Sequence, residues 1–351
     1  MKLADLTRQA GEWLRGGGPM EDVVVSCRAR LARNLVGVPF LSRCTDGQKA
    51  ELVTRLREEI LQVNLAPTVL YVDVAAAGAL DRQLLVERHL ISREHAAADH
   101  PRGVAIAGGE TAAVMINEED HLRMQSFRSG LGLSEAMAEV YRLDERLEER
   151  VDFAYHSRYG YLTACPTNVG TGLRVSAMLH LPALKMTGQI EKALRAAKDL
   201  HLEVRGLYGE GTEALGDFFQ VSNQTTLGVS EEQLAEEFGG EWMPRFVDYE
   251  RQARENLRRH RSMVIEDKVR RSLALLRSAK LMSSQETTFL LSLLRLGIAM
   301  GVVSDVDVKT VNEIFLLSQP AHLQKVLKRE LTGLARAEAR AAYIRHRLGV
   351  E

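Results

Sequence analysis

Cysteine is scarce. Cys27, Cys44 and Cys165 are the three in 351 residues, an odd number with no Cys-x-x-Cys pair. That argues against a disulfide framework and a cysteine-rich zinc site, and it fits a reducing, cytoplasmic setting. Net charge is nearly missing too, since 46 Lys and Arg face 47 Asp and Glu. Nothing global attracts nucleic acid or an anionic membrane, so any anion site has to be local. No apolar run approaches the ~18 residues that would span a bilayer. Residues 1–15 are mixed and amphipathic, unlike a signal peptide. The P-loop pattern G-x-x-x-x-G-K-[ST] is absent, as are the H-R-D and D-F-G signatures of protein kinases. There are no internal repeats and no low-complexity segments. What remains is ordinary globular composition, 45% hydrophobic and 26% charged, enough for a core. The length suits two domains, or one large domain with an appendage.

The chain divides into two textures. Residues 3–14 predict a short helix. "VVVSCRARLARN" opens as a buried strand. Residues 48–62 predict a helix with Leu52, Leu56 and Ile60 on one face, and residues 68–74 a strand. "GVAIAGGETAAVMINEEDHLRMQSF" reads as strand, turn, strand and a polar run. A hairpin centres on residues 158–160, a helix on 187–200, and two strands flank a glycine-rich loop in "LEVRGLYGEGTEALGDFFQVSN". Short turns between strands favour antiparallel pairing over a doubly wound parallel sheet. From about Asp248 only helices are expected. Their stripes are Ile265, Val269, Leu273, Leu276, then Phe289, Leu293, Leu296, Met300, then Leu323, Val326, Leu327, and last Ala337, Ala341, Ile344, Leu348. Such faces suit an internal bundle or a dimer surface equally.

Arginines carry the chemistry. In "SCRAR", Ser26, Arg28 and Arg30 alternate along a strand and share a face. Two guanidinium groups on one face repel unless an anion sits between them, and polyphosphate fits their planar forks. Arg123, Arg174 and Arg205 stand beside turns or strand ends; taken singly, each is more often a surface residue. "NEEDH" at 117–121 crowds Glu118, Glu119 and Asp120, which calls for facing cations. Glu210 lies in "YGEGTE", which on its own reads as a solvated acidic loop.

Four motifs occur in order: Ser-x-Arg-x-Arg, Asn-Glu-Glu-Asp-His-x-Arg, Cys-Pro-Thr-Asn-x-Gly-Thr and Arg-Gly-x-x-Gly-Glu. Together they resemble the phosphagen kinases, the ATP:guanidino phosphotransferases, over roughly residues 20–230. Those kinases carry a helical domain ahead of the first motif. Here 25 residues precede Ser26 and a helical region follows, a layout similar to the bacterial branch that phosphorylates arginine side chains of proteins. The resemblance implies an α+β fold: an antiparallel-sheet catalytic domain flanked by helices over residues 1–255, and an all-α domain for dimerisation or regulation over 256–351.

The resemblance also implies roles. Arg28, Arg30, Arg123, Arg174 and Arg205 would bind the phosphates of ATP, with Mg²⁺. Ser26, Cys27, Ala29, His89, Val175, Ser176, Ala177, Met178, Gly206, Leu207, Tyr208, Gly209 and Glu210 would line the nucleotide site. Glu119 and Glu210 would grip the acceptor guanidinium, with Cys165 beside it. In the last helix Arg336, Ala337, Arg340 and Ala341 match a phosphoarginine-binding allosteric pocket, with Ala337 where that motif has an aspartate. The implied setting is cytoplasmic, with no nucleic acid or membrane partner. The implied partners are arginine-exposing protein substrates, a small zinc-containing activator, a Clp-type ATPase or protease, and a heat-shock repressor as substrate. A homodimer through the C-terminal helices, a role in marking proteins for degradation and control of the stress response complete the set. A kinase of free arginine and an inactive partner-binding module remain the alternatives.

Overall fold

The computed structural model of the chain describes residues 2–63, 65–206 and 215–350. Its strands are β1 (Val24–Arg33), β2 (Val69–Asp73), β3 (Gly103–Ala107), β4 (Ala112–Ile116), β5 (Leu122–Ser129), β6 (Tyr155–His156), β7 (Gly160–Tyr161), β8 (Leu173–His180), β9 (Leu202–Gly206) and β10 (Phe218–Asn223). Eight of them form one sheet in the order β2-β3-β4-β5-β1-β8-β10-β9, while β6 and β7 make a separate hairpin. Every neighbouring pair is antiparallel, as the short connections predict.

The helices of the first part are α1 (Asp46–Gln62), α2 (Ala79–Glu87), α3 (Arg93–Ala97), α4 (Leu133–Glu148), α5 (Pro182–Met186), α6 (Ile190–Asp199) and α7 (Glu231–Ala235). Thr45 starts α1 with a reciprocal capping box to Gln48, worth about 1 kcal/mol. After α7 come α8 (Met243–Ser278), α9 (Ser284–Ala299), α10 (Val308–Leu317), α11 (Pro320–Leu327) and α12 (Gly333–Arg347). The expected boundary at 255/256 falls within α8, ahead of a bend at Arg261, where φ is −140°. Apolar contacts continue from the sheet into α8, α9 and α10.

Strand β1 sits mid-sheet, so both its faces are covered. Cys27, Ala29 and Leu31 are fully buried on the face that α4 covers. Ser26, Arg28 and Arg30 point the other way. That division positions the site.

Three expectations are corrected. Residues 3–14 form two short 3-10 turns, Leu3–Arg8 and Glu12–Leu14, because Gln9 is extended and Gly11 interrupts. The polar run that includes "NEEDH" continues into strand β5, whose Arg123 and Gln125 face the site. Phe289 is 52% exposed, whereas its neighbours around α9, among them Thr287, Leu290 and Leu294, are buried. The packed face of α9 is rotated away from it.

Candidate active site

Register assembles the site. Arg30 on β1 lies opposite Arg174 on β8 and Gln125 on β5. Arg123 shares the face of Gln125, two residues away. Arg205 on β9 lies opposite Gln220 on β10, and the Gln220 amide oxygen accepts from Arg28 Nη2 at 3.2 Å. All five arginines therefore line one cleft of about 550 Å³, together with His89, Glu119 and Cys165.

Their charges are only partly balanced. Glu118 pairs with Arg123 at 2.5 Å, and Glu203 pairs with both Arg174 and Arg205. Arg28 and Arg30 have no carboxylate in ion-pair contact among the described residues. Burial, followed by Arg123, Arg174 and Arg205, pushes Arg28 down to about 9. Burial and Arg28 push Arg30 well below the arginine range. The Arg30 Nε is buried with no hydrogen-bond partner among the described residues. A sealed guanidinium edge beside four other cations is a site short of negative charge, which a polyphosphate supplies.

His89 borders the same cleft. It follows the sealed Arg88, whose guanidinium binds the Glu110 carboxylate, and its own φ is +58°. Its ring meets Trp13 edge-on at 4.6 Å. Burial, Arg28 and Arg93 push its pKa down to about 3, so the imidazole is neutral.

The other side of the cleft is built from two loops. "NEEDH" is the tight turn joining β4 to β5: Asn117 takes a left-handed φ of +60°, and its N–H donates to the His121 carbonyl at 3.0 Å. That turn leaves Glu119 exposed at the cleft. Partial desolvation of its carboxyl within the cleft, then Asp120 and Glu118, push its pKa up, against Arg123 and Arg174. The second loop carries Cys165, whose Sγ lies 3.0 Å from Thr167 Oγ1 at the start of a proline-initiated 3-10 turn. Gly170 (φ +113°) and Gly172 (φ +66°) let this loop lie against the protein. A Cβ would meet the Thr226 carbonyl oxygen at 2.4 Å at the first position and the Arg33 guanidinium at 2.6 Å at the second.

The other expected residues divide. Ser26, Ser176 and Met178 border a small cavity next to the cleft, which they share with Arg28, His89 and Gln220. Cys27, Ala29, Val175 and Ala177 have their side chains in the core, because alternation turns them to the opposite face. Gly206 ends β9 opposite Phe219. Leu207, Tyr208, Gly209 and Glu210 lie outside the described residues. Arg336, Ala337, Arg340 and Ala341 sit on α12, and none borders the cleft. Arg340 is sealed, donating to the Ser318 and Met282 carbonyls, and its Nη2 has no hydrogen-bond partner among the described residues. Gln125, Gln220, Glu203 and Arg93 were not anticipated. Alternation along β5 and β10 signals the two glutamines, and nothing in the sequence signals Arg93.

The residues present fit a nucleotide and its metal: an arginine-rich cleft holds phosphates. Among the described residues, no cluster of three or more His, Cys, Asp or Glu side chains stands ready to hold a cation.

Comparison with known proteins agrees with this geometry. Residues 51–253 match the ATP:guanido phosphotransferase C-terminal catalytic domain, and residues 262–351 the protein-arginine kinase McsB C-terminal domain. A protein-arginine kinase of Symbiobacterium thermophilum is 45% identical over 98% of both chains. One from Halothermothrix orenii is 42% identical over 100% of both. The duplicated taurocyamine kinase of Schistosoma mansoni, solved with transition state analog components, superposes with a TM-score of 0.59 at 26% identity. The match covers 72% of this chain and 36% of that one. Lombricine kinase, at 24% identity and a TM-score of 0.56, covers 71% of this chain and 70% of its own, and shares the fold. The chain belongs to the ATP:guanido phosphotransferase family, in its protein-arginine kinase branch.

Proposed function

We propose that the chain transfers the γ-phosphoryl group of ATP to a guanidino nitrogen of arginine side chains in proteins. The observation that carries this reading is the meeting of Arg28, Arg30, Arg123, Arg174 and Arg205 with Glu119 and Cys165 in one cleft. The arginines hold the phosphate oxygens and neutralise charge spread over the transferring group. A guanidinium is a poor nucleophile, because its lone pairs are delocalised and its pKa exceeds ~12. Glu119 takes its proton as the nitrogen attacks in line with the γ-phosphorus. The N–P bond forms, the bond from phosphorus to the β,γ-bridging oxygen breaks, and ADP leaves. Cys165 is assigned a place beside the guanidinium, which it helps position, and Glu210 the second grip on it. Mg²⁺, when bound with the nucleotide, adds charge stabilisation at the phosphates.

Beyond the reaction, Arg336 and Arg340 of α12 are assigned a phosphoarginine-binding allosteric role, one turn apart on one face. Residues 256–351 are assigned dimerisation and regulation. Marking of proteins for a Clp-type protease, action on a heat-shock repressor, and dependence on a zinc-containing activator belong to the same reading, as does a cytoplasmic setting. No helix among the described residues is long and apolar enough to cross a membrane.

The decisive experiment incubates the chain with ATP, Mg²⁺ and an unfolded model protein, then maps modified residues by mass spectrometry under conditions that preserve P–N bonds. Phosphoarginine in the protein is expected, and Glu119→Ala should abolish it. Faster phosphorylation of free arginine than of the protein overturns the protein-acceptor assignment.

A further inference from the structure

We propose that Asp120 and Asn34 form a positioning clamp that sets the spacing between Glu119 and Cys165. The two acceptor-side residues come from different loops, and neither loop belongs to the sheet that holds the arginines in register. Asp120 directly follows Glu119, and Ala164 directly precedes Cys165. The Asp120 Oδ1 accepts the Ala164 backbone N–H at 2.7 Å and Asn34 Nδ2 at 2.6 Å. Asn34 follows β1 and reaches both loops. Its Oδ1 accepts the His121 N–H at 3.0 Å, and its Nδ2 also donates to the Leu162 carbonyl at 3.0 Å. Both side chains are 2% exposed. The hydrogen bonds that join the two loops all pass through this pair, among the described residues.

His121 anchors the clamp from behind. Its Nδ1 accepts the Leu35 N–H at 3.0 Å, which leaves the proton on Nε2 to donate to the Pro39 carbonyl at 2.9 Å. Every hydrogen-bonding group of the Asn34 amide is then used inside a sealed network, the condition under which such a network holds one geometry. The geometry matters here because an error of about 1 Å in a reacting pair costs about 100-fold in rate.

Asp120 also acts on Glu119 through its charge. The charged groups facing Glu119 are Asp120 and Glu118 of its own turn, Arg123 on β5 and Arg174 on β8, with Arg93 and Glu94 of α3 on the same cleft. Asp120 and Glu118 disfavour the Glu119 anion and the arginines favour it. Removing the Asp120 charge without changing its shape should therefore make Glu119 more acidic.

The inference rests on the roles proposed for Glu119 and Cys165, and Glu119→Ala tests those separately. An active Glu119→Ala enzyme ends that reading. An inactive one beside a fully active Asp120→Ala enzyme ends only the clamp. The assay is steady-state phosphorylation of an unfolded model protein by the full chain, with ATP varied and the pH profile recorded. Asp120→Ala is expected to lower kcat about 100-fold while the ATP KM stays within about twofold. Asn34→Ala should behave in the same direction. Asp120→Asn keeps an oxygen for the Ala164 N–H. It should recover at least about tenfold of the loss, with the acid limb of kcat moved to lower pH. The proposal is overturned if Asp120→Ala keeps kcat within about threefold of wild type, or if the loss falls on the ATP KM instead. Should Asp120→Ala fail to fold, Asn34→Ala decides: kcat within about threefold of wild type overturns the clamp, and a loss confined to kcat supports it.

Discussion

His322 donates its Nδ1–H to the Glu87 carboxylate at 2.7 Å, with both side chains sealed from solvent. The tautomer follows from the other ring nitrogen: Arg88 Nη1, which can only donate, lies 3.1 Å from Nε2. The same carboxylate accepts the Ala321 and His322 backbone N–H groups at the start of α11. The contact therefore ties α2, which leads through Arg88 to His89 at the cleft, to the C-terminal helices.

Glu87→Ala leaves those donors buried and unpaired. An unfolding free energy lower by about 3 kcal/mol is expected, with Glu87→Gln losing less. Urea unfolding of the two variants beside wild type measures it, and equal midpoints for all three would show that the contact contributes nothing.

The arginine nest predicts a protein that its nucleotide stabilises. Arg28 and Arg30 are desolvated among like charges, so ATP should raise the Tm. Arg30→Ala should weaken ATP binding about 10- to 100-fold, the range for hydrogen bonds to charged groups, without lowering the Tm of the nucleotide-free protein. Calorimetric titration and thermal unfolding check both halves. A destabilised nucleotide-free variant would mean that Arg30 serves the fold.

Activity and stability should part company in acid. Partial desolvation, Asp120 and Glu118 push Glu119 up. A general base works unprotonated, so kcat should fall as pH drops through that raised value. Glu118 goes the other way. Burial opposes its charge, but Arg123 and a Ser92 hydrogen bond outweigh that and hold it near about 2. Its folded value is depressed, so its stabilising contribution is present above its ordinary 4.5 and lost as pH falls from there towards about 2. A kcat profile measured beside far-UV circular dichroism should show the activity limb at higher pH than acid unfolding. Coincident transitions would remove Glu119 as the source of the limb.

The two arginines of α12 need different tests. Arg340 donates to the Ser318 and Met282 carbonyls at 2.9 Å each. Arg340→Ala should therefore cost about 2 kcal/mol of stability as well as any phosphoarginine binding. Arg336 is only half-buried, and Arg336→Ala should weaken binding of free phosphoarginine with stability within about 0.5 kcal/mol of wild type. Equilibrium binding and unfolding on both variants separate the roles. Unchanged binding in Arg336→Ala would remove that residue from the pocket.

Part of this molecule is legible without coordinates. The alternation of "SCRAR" already places Ser26, Arg28 and Arg30 on one face, since the pleat has a period of two. The same period sends Cys27 and Ala29 to the core, although a contiguous motif invites them into the site. Spacing marks helices α1, α8, α9, α11 and α12 through their apolar stripes, and the ordered motifs mark the chemistry. Helix α4 is absent from the expected elements although its stripe is regular: Leu133, Met137, Val140, Leu143 and Leu147 are buried along one face at helical spacing.

Local sequence determines which residues can turn to the same side of a strand, because that depends on the backbone alone. It does not determine which strands become neighbours. Tertiary pairing decides that Arg30 meets Arg174 across 144 positions, that Gln220 reaches Arg28, and that Asp120 finds the N–H ahead of Cys165. These contacts depend on register, loop closure and the need to pair every buried polar group. Such terms act over the whole chain, and no short window of residues contains them.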